Sequence, residues 1–202
     1  MGWKIQSYTK KTFEIMLKAR SVIVLGYHVW DDIFEVAVKS DGKWIYPEYF
    51  PLKFVELKVI HYLRMKGFNA VSVNNIFLKT LAKLDGFGNF GKNSLITNPI
   101  YGPWLRFAAI LTDAALKPDK PFEDDLCGDC EECIKACPVN VLTPYKVDDE
   151  KSLVGIHLND SQNANYSYIE LFRKYEPSIT RNSHLMCMEC QKACKYGREL
   201  HF

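Results

Sequence analysis

The chain has 202 residues, of which 48% are hydrophobic and 25% are charged. A chain of this length and composition can bury an ordinary core, so we expect a folded globular protein. Its formal net charge of +2 gives no electrostatic reason to expect nucleic acid or an anionic membrane as a partner. We find no apolar stretch long enough to cross a bilayer and no export signal in the first residues, and we therefore expect a cytoplasmic protein.

The first half of the chain has the pattern of a mixed α/β body. The predicted elements are helices over residues 12–19, 51–66 and 75–85, and strands over Ser21–Tyr27 and 105–111. Two prolines and three charged residues over Lys117–Pro121 indicate a linker. We therefore divide the chain into a body over residues 1–117 and a second part over residues 118–202. In the second part, Tyr166–Tyr175 is expected to be helical.

Seven cysteines lie close together in the second part, all between residues 127 and 194. An odd number of clustered thiols does not suit a disulfide scaffold and points to metal. Residues 127–137 carry the run Cys-x2-Cys-x2-Cys-x3-Cys, and residues 187–194 repeat its closing half. In bacterial-type ferredoxins, three cysteines of such a run bind one iron–sulfur cubane and the fourth binds a second. The pattern predicts electron transfer or reduction.

In this arrangement, the last cysteine of each motif binds the cluster of the other motif, and we call this the crossover rule. It assigns the seven cysteines to two clusters. Cluster I takes Cys127, Cys130, Cys133 and Cys194, and cluster II takes Cys137, Cys187 and Cys190. Two 4Fe-4S cubanes need eight thiolates, so cluster II lacks one. A fourth ligand such as His157, His184 or a nearby carboxylate, a 3Fe-4S centre, and an open iron corner are the alternatives. Structural zinc is the alternative to iron–sulfur, but zinc sites generally pair two cysteine knuckles across a longer loop.

Two further blocks, Gly86–Ile96 and Tyr101–Asp113, precede the cysteine run. The three blocks in this order resemble the epoxyqueuosine reductases and the related reductive dehalogenases, over about residues 20–195. The resemblance implies an α+β fold in which a nitroreductase-like α/β body precedes a ferredoxin-like domain with two clusters. It also implies that the body holds a cobalamin, which the two 4Fe-4S clusters supply with electrons.

Three departures from this family stand out. Counted without gaps from the glycine block, the position of the family's catalytic aspartate is Ser72 in this chain. The family's isolated cysteine between the two motifs corresponds to Ser152, which would explain the missing thiolate and makes Ser152 a candidate fourth ligand of cluster II. The chain ends at Phe202, without the C-terminal helical repeats that help the family hold tRNA, so we do not expect a nucleic-acid partner.

The glycine block matches the G-x-G-x-x-G fingerprint of dinucleotide sites over Gly86–Gly91. That fingerprint joins a strand to a helix, whereas here a predicted helix precedes the glycines, so we do not expect nicotinamide binding. A loop that approaches a planar corrinoid is one interpretation, and a tight turn without a ligand is the other. The residues that would contact the corrinoid are Gly91, Lys92, Asn93 and Ser94.

Three residues are candidates for acid chemistry or cofactor contact. Tyr27 and His28 end the first predicted strand, where side chains commonly enter a cleft, and Ser72 occupies the position described above. A packed aromatic side chain beside an exposed imidazole is the alternative for Tyr27 and His28.

Two functions remain open. One is an iron–sulfur oxidoreductase that passes electrons through both clusters to a corrinoid or similar centre, and the size of the body favours it. The other is a non-catalytic ferredoxin-like module for electron transfer or for reductive activation of a corrinoid protein. We expect a redox donor such as a ferredoxin or flavodoxin, and a corrinoid protein or a small-molecule substrate, as partners. The resemblance also allows a homodimer.

Overall fold

The structure is a computed structural model, and it describes residues 16–73, 77–158 and 166–200. These residues form two compact units that interleave along the chain. The first unit contains the described residues up to Tyr27 together with Pro51–Phe87 and Arg106–Phe122. The second unit contains His28–Phe50, Gly88–Leu105 and the described residues from Glu123 onwards. The division into domains at residues 117 and 118 stays a prediction.

The described residues contain both strands and helices, as the α+β prediction requires. In chain order the strands are β1 (Ser21–His28), β2 (Val36–Ser40), β3 (Lys43–Ile45), β4 (Ala70–Val73), β5 (Asn89–Phe90), β6 (Ile96–Thr97), β7 (Leu105–Thr112), β8 (Leu142–Thr143), β9 (Lys146–Val147), β10 (Ser178–Thr180) and β11 (Ser183–Leu185). The helices are α1 (Tyr49–Met65), α2 (Leu78–Leu84), α3 (Glu132–Lys135), α4 (Leu153–Leu158), α5 (Tyr166–Tyr175) and α6 (Glu189–Lys192). In the part of the chain that the structure describes, no helix has the length and apolar character that a membrane span requires.

Most of the predicted elements are confirmed, and one differs from the prediction in the part that the structure describes. Strands β1 and β7 and helices α1, α2 and α5 lie where the sequence pattern placed them. Residues 12–15 of the helix predicted over 12–19 lie outside the described residues. The remainder is a single turn, in which Ala19 N–H donates to Met16 O at 3.1 Å. It cannot continue as a helix because Arg20 N–H is already bound to Thr112 O at 2.8 Å.

The first unit is built around a three-stranded sheet with strand order β1-β7-β4. Side chains alternate across the sheet, so neighbouring residues of β7 face opposite sides. Ile110 packs with Ile60 and Leu63 of α1 on one face. Leu111 packs with Leu81 of α2 on the other face. The two helices therefore cover both faces of the sheet.

The second unit contains a four-stranded antiparallel sheet with strand order β10-β11-β2-β3. Asp41 and Gly42 join β2 to β3 with φ values of 50° and 74°, which is the conformation that tight hairpins favour. Strand β11 pairs with β2 so that His184 lies opposite Ala37. This pairing fixes the backbone immediately before Cys187, because Met186 N–H donates to Glu35 O at 2.7 Å.

Candidate iron–sulfur centre

The two cysteine motifs have the same local backbone conformation. Helix α3 follows Glu131 (φ −130°, ψ 17°) and ends at Ala136 in the α region. Helix α6 follows Met188 (φ −130°, ψ 19°) and ends at Ala193 in the α region. The two helices contact each other. Each motif therefore has one cysteine inside a short helix and another two residues after its last residue.

One group of thiols lines a small cavity of about 20 Å³ together with Lys92. The members of this group are Cys127, Cys130, Cys133 and Cys194, the four residues predicted for cluster I. Burial, and then the neighbouring thiolates, raise the pKa of Cys133 to about 11. Four convergent sulfurs that repel one another when ionised are a donor set that suits a cationic iron cluster.

A second group of thiols consists of the three residues predicted for cluster II. Burial, followed by the charges of Cys187, Cys133 and Cys137, raises the pKa of Cys190 to about 12. Burial also raises the pKa of Cys187 to about 11, with Glu176, Glu189 and Cys137 adding to the effect. These three thiols therefore lie near enough to influence one another's ionisation.

All seven cysteines are free thiols. Over residues 16–73, 77–158 and 166–200, no three side chains of His, Cys, Asp or Glu form a site for a single metal ion. The two thiol groups are the ones that the crossover rule predicts. The assignment of each cysteine to a cluster stays a prediction.

The glycine block contacts the cysteine segments. Lys92 N–H donates to the Cys127 sulfur at 3.4 Å, and Asn93 Nδ2 donates to the carbonyl of Cys190 at 3.5 Å. A tight turn holds the loop, with Gly91 N–H bound to Leu95 O at 2.7 Å and Ser94 at a φ of 62°. Helix α2 precedes this loop, as the argument against a dinucleotide site expected.

These contacts test whether the loop fits a corrinoid. The backbone amide of Lys92 and the side-chain amide of Asn93 are both engaged by the cysteine segments, and both residues are buried. The loop by itself does not fit the role of a polar corrinoid cradle. A role for Gly91, Lys92, Asn93 and Ser94 in corrinoid contact stays a prediction.

A carboxylate binds the first cysteine of each motif. Asp125 Oδ1 accepts the backbone N–H of Cys127 at 2.9 Å, and Glu176 Oε1 accepts that of Cys187 at 3.1 Å. The position of Asp125 two residues before Cys127 is a local sequence signal for such a contact. Glu176 carries no such signal, because β10 and β11 separate it from Cys187.

The candidates for the fourth ligand of cluster II have different surroundings. The Ser152 hydroxyl accepts the N–H of Gly155 at 2.9 Å and so caps α4. His184 is buried, with Nε2 3.9 Å from Glu176 Oε2 and its ring edge-on to Trp44. The side chain of His157 lies outside the described residues. The ligation of cluster II by any of them stays a prediction.

The structure gives the surroundings of the three residues that were predicted as candidates for acid chemistry or cofactor contact. Ser72 lies in β4, and its hydroxyl accepts a hydrogen bond from Lys53 Nζ at 2.8 Å. The ring of His28 lies 4.7 Å from that of Tyr101. Tyr27 is half-buried in β1. A catalytic role for these residues stays a prediction.

The first unit also has a cavity of about 560 Å³ between β1, the end of α2 and residues 116–119. Asp85 and Asp119 both line it, and burial followed by the Asp119 charge raises the pKa of Asp85. None of the residues predicted to contact a corrinoid lines this cavity.

The motifs and thiol groups define the class of protein: a ferredoxin-like protein with two iron–sulfur sites. A family described as "4Fe-4S dicluster domain" matches residues 126–198. The epoxyqueuosine reductase of Listeria monocytogenes is 31% identical over 142 residues, covering 69% of this chain and 35% of the relative.

Several solved structures share the fold. Epoxyqueuosine reductase from Streptococcus thermophilus matches 92% of this chain and 51% of its own, with a TM-score of 0.68 and 18% identity. An epoxyqueuosine reductase solved with an epoxyqueuosine-modified tRNA stem loop matches 94% of this chain and 52% of its own, with a TM-score of 0.66 and 19% identity. A reductive dehalogenase, described as suggesting a mechanism for B12-dependent dehalogenation, matches 71% of this chain and 20% of its own, with a TM-score of 0.52 and 20% identity.

The chain is therefore similar in sequence to epoxyqueuosine reductases, and it shares its fold with solved epoxyqueuosine reductases and a reductive dehalogenase. It spans about half, or less, of the length of the relatives it matches. The predicted fold class and the presence of a 4Fe-4S dicluster domain are confirmed.

Proposed function

We propose that this chain is an iron–sulfur oxidoreductase that passes electrons through two clusters to a corrinoid or a similar centre. The observation that carries the proposal is the arrangement of seven thiols in two neighbouring groups within one compact unit. We assign Cys127, Cys130, Cys133 and Cys194 to cluster I, and Cys137, Cys187 and Cys190 to cluster II.

In this assignment, each short helix and the residues that follow it supply one cysteine to each cluster. Cys133 lies in α3 and Cys137 follows it, and Cys190 lies in α6 and Cys194 follows it. The two short helices contact each other, which supports two clusters that lie close together. When bound, each cluster takes up and releases one electron, so this geometry suits a relay. A ferredoxin or flavodoxin is the class of donor that matches such one-electron steps.

We propose a corrinoid as the class of centre that accepts electrons from the clusters. Its support is the family resemblance and the B12-dependent dehalogenation described for the reductive dehalogenase structure. Because the loop around Lys92 does not by itself fit a corrinoid, we derive no contact to one. The tRNA stem loop present in the structure of one relative supports nucleic acid as a partner, in contrast to the expectation from net charge.

A second candidate is a relay module that reduces a separate corrinoid protein. The observation that favours it is the contact between Ser72 and Lys53. A hydroxyl that accepts from an ammonium is a poor proton donor compared with a carboxylic acid, so the position of the family's aspartate lacks the expected acid.

Anaerobic purification with iron, sulfide and corrinoid analysis tests the proposal. We expect two clusters per chain, reduction by dithionite, and measurable affinity for added cobalamin. A chain with two clusters but no affinity for cobalamin would favour the relay module over the enzyme. Turnover of a small organic substrate with only an artificial reductant would exclude the module, and a protein that holds zinc in place of iron would exclude both.

A further inference from the structure

Both motifs bind the backbone amide of their first cysteine to a carboxylate, but the two carboxylates have different surroundings. Glu176 accepts from Cys187, and its side chain has 0% of its surface exposed. Asp125 accepts from Cys127 and is exposed, where the Tyr145 hydroxyl donates to it at 2.9 Å. Glu176 and Asp125 therefore make the same contact to a cysteine amide, one in a buried position and the other exposed to solvent.

The cluster I cavity also has a buried cation. The Lys92 side chain is 10% exposed, and its Nζ lies 4.0 Å from Oε1 of the exposed Glu131 side chain. Lys92 also lines the cavity of the four cluster I cysteines. Its own backbone N–H donates to the Cys127 sulfur. Positive charge and hydrogen bonds to cysteine sulfur both stabilise a cluster that has gained an electron.

The strength of each charge depends on the medium around it. A charge facing solvent interacts through a high dielectric and is screened by salt, whereas a buried charge acts through a lower effective dielectric. The exposed carboxylates of Asp125 and Glu131 therefore oppose reduction of cluster I weakly, and the buried Lys92 charge favours its reduction. The buried Glu176 opposes reduction of cluster II strongly, because added negative charge destabilises the reduced cluster.

We propose that Glu176, acting through Cys187 as a positioning residue, holds cluster II at a lower reduction potential than cluster I, so that the first electron accepted by the chain resides on cluster I. This inference rests on the proposed two-cluster relay and adds to it the order in which the two clusters are reduced. His184 also faces this carboxylate, with its Nε2 3.9 Å from Glu176 Oε2.

An EPR-monitored redox titration of the anaerobically purified chain tests the order. Cys127→Ser and Cys187→Ser, each of which alters one proposed ligand, identify the two signals. In the wild type we expect the cluster I signal to appear first on reduction. Glu176→Gln should shift the cluster II potential upward and leave that of cluster I within error. Asp125→Asn, the matched control, should shift the cluster I potential by less than Glu176→Gln shifts that of cluster II.

Three results would overturn the inference: cluster II reduced first in the wild type, no shift of cluster II in Glu176→Gln, or an equal shift of both clusters. If the Glu176→Gln variant does not bind both clusters, the order of cluster reduction in the wild type still tests the inference. The measurement contains no acceptor, so a failure of the chain to reduce cobalamin would count against the proposed function and not against this order. A chain that binds only one cluster would overturn both.

Discussion

Ser152 accepts a hydrogen bond from the backbone amide of Gly155, three residues further on, at 2.9 Å. This contact satisfies an N–H group at the start of α4 that has no partner within the helix. We expect Ser152→Ala to lower the free energy of unfolding by about 1 kcal/mol through loss of this cap. Because the hydroxyl is engaged, we also expect iron content to be unchanged. Thermal denaturation and iron analysis measure the two effects, with Ser152→Thr as the control that retains a cap. Loss of iron in Ser152→Ala alone would identify the hydroxyl as a ligand.

Ser152→Cys places a thiolate at the position of the family's isolated cysteine. Cluster II has three proposed thiolates, so we expect an unusual EPR signal in the wild type and an ordinary reduced 4Fe-4S signal in this variant. Anaerobic EPR of both proteins at equal iron content provides the comparison. Two ordinary, fully thiolate-ligated cubanes in the wild type would contradict the single-chain ligation scheme.

Cys130 and Cys133 line the same cavity, and changing either to Ser should remove cluster I. We expect the loss of about half of the bound iron and a lower melting temperature, because metal binding in such a domain contributes directly to folding. Iron analysis and thermal denaturation under anaerobic conditions measure both. Full iron content with unchanged stability in either variant would show that the assignment is wrong.

The raised pKa values of the buried thiols predict a pH dependence of the iron-free protein. The pKa rises from 9.0 to about 11 for Cys133 and Cys187, and to about 12 for Cys190, first because of burial. A group that binds its proton more tightly when folded stabilises the fold below its unfolded value, here 9.0, and this stabilisation is lost as pH rises through the folded values.

The melting temperature of the iron-free chain should therefore fall between pH 9 and pH 12. Cluster assembly should become easier as pH rises from 7 to 9, because iron binds thiolates and releases their protons. Iron uptake at several pH values, with proton release followed by an indicator dye, checks this. If iron uptake does not depend on pH between 7 and 9, the thiols are not protonated in the iron-free chain as the raised pKa values predict.

Lys53 joins Ser72 to a buried carboxylate, because its ammonium also lies 2.6 Å from Glu56 Oε2. The Glu56 side chain is 3% exposed, so removing its cation leaves a buried charge without this partner. We expect Lys53→Met to lower the free energy of unfolding by about 1–3 kcal/mol. Lys58→Met on the same helix is the control and should have a smaller effect. Denaturant unfolding compares them, and equal effects of the two substitutions would exclude a role for Glu56.

Local patterns predicted the elements whose apolar residues recur at short spacing. The β-branched run over Ser21–Tyr27 and the apolar repeat of α1 were recognised for this reason. The β2–β3 hairpin was missed although Asp41-Gly42 between two short strands is a recognised hairpin signal. Strand β11 has three residues and pairs with β2 across most of the chain, and no local pattern encodes such a partner.

The sequence by itself determined the metal chemistry, because cysteine spacing limits which thiols can reach one cluster and the count of seven leaves one position without a thiolate. Only the tertiary structure decided the electrostatic surroundings of those thiols. Asp125 and Glu176 bind their cysteines through the same contact, and the sequence does not distinguish an exposed carboxylate from a buried one. Burial depends on strands paired from distant parts of the chain, and it is burial that sets how strongly a charge acts on a nearby cluster.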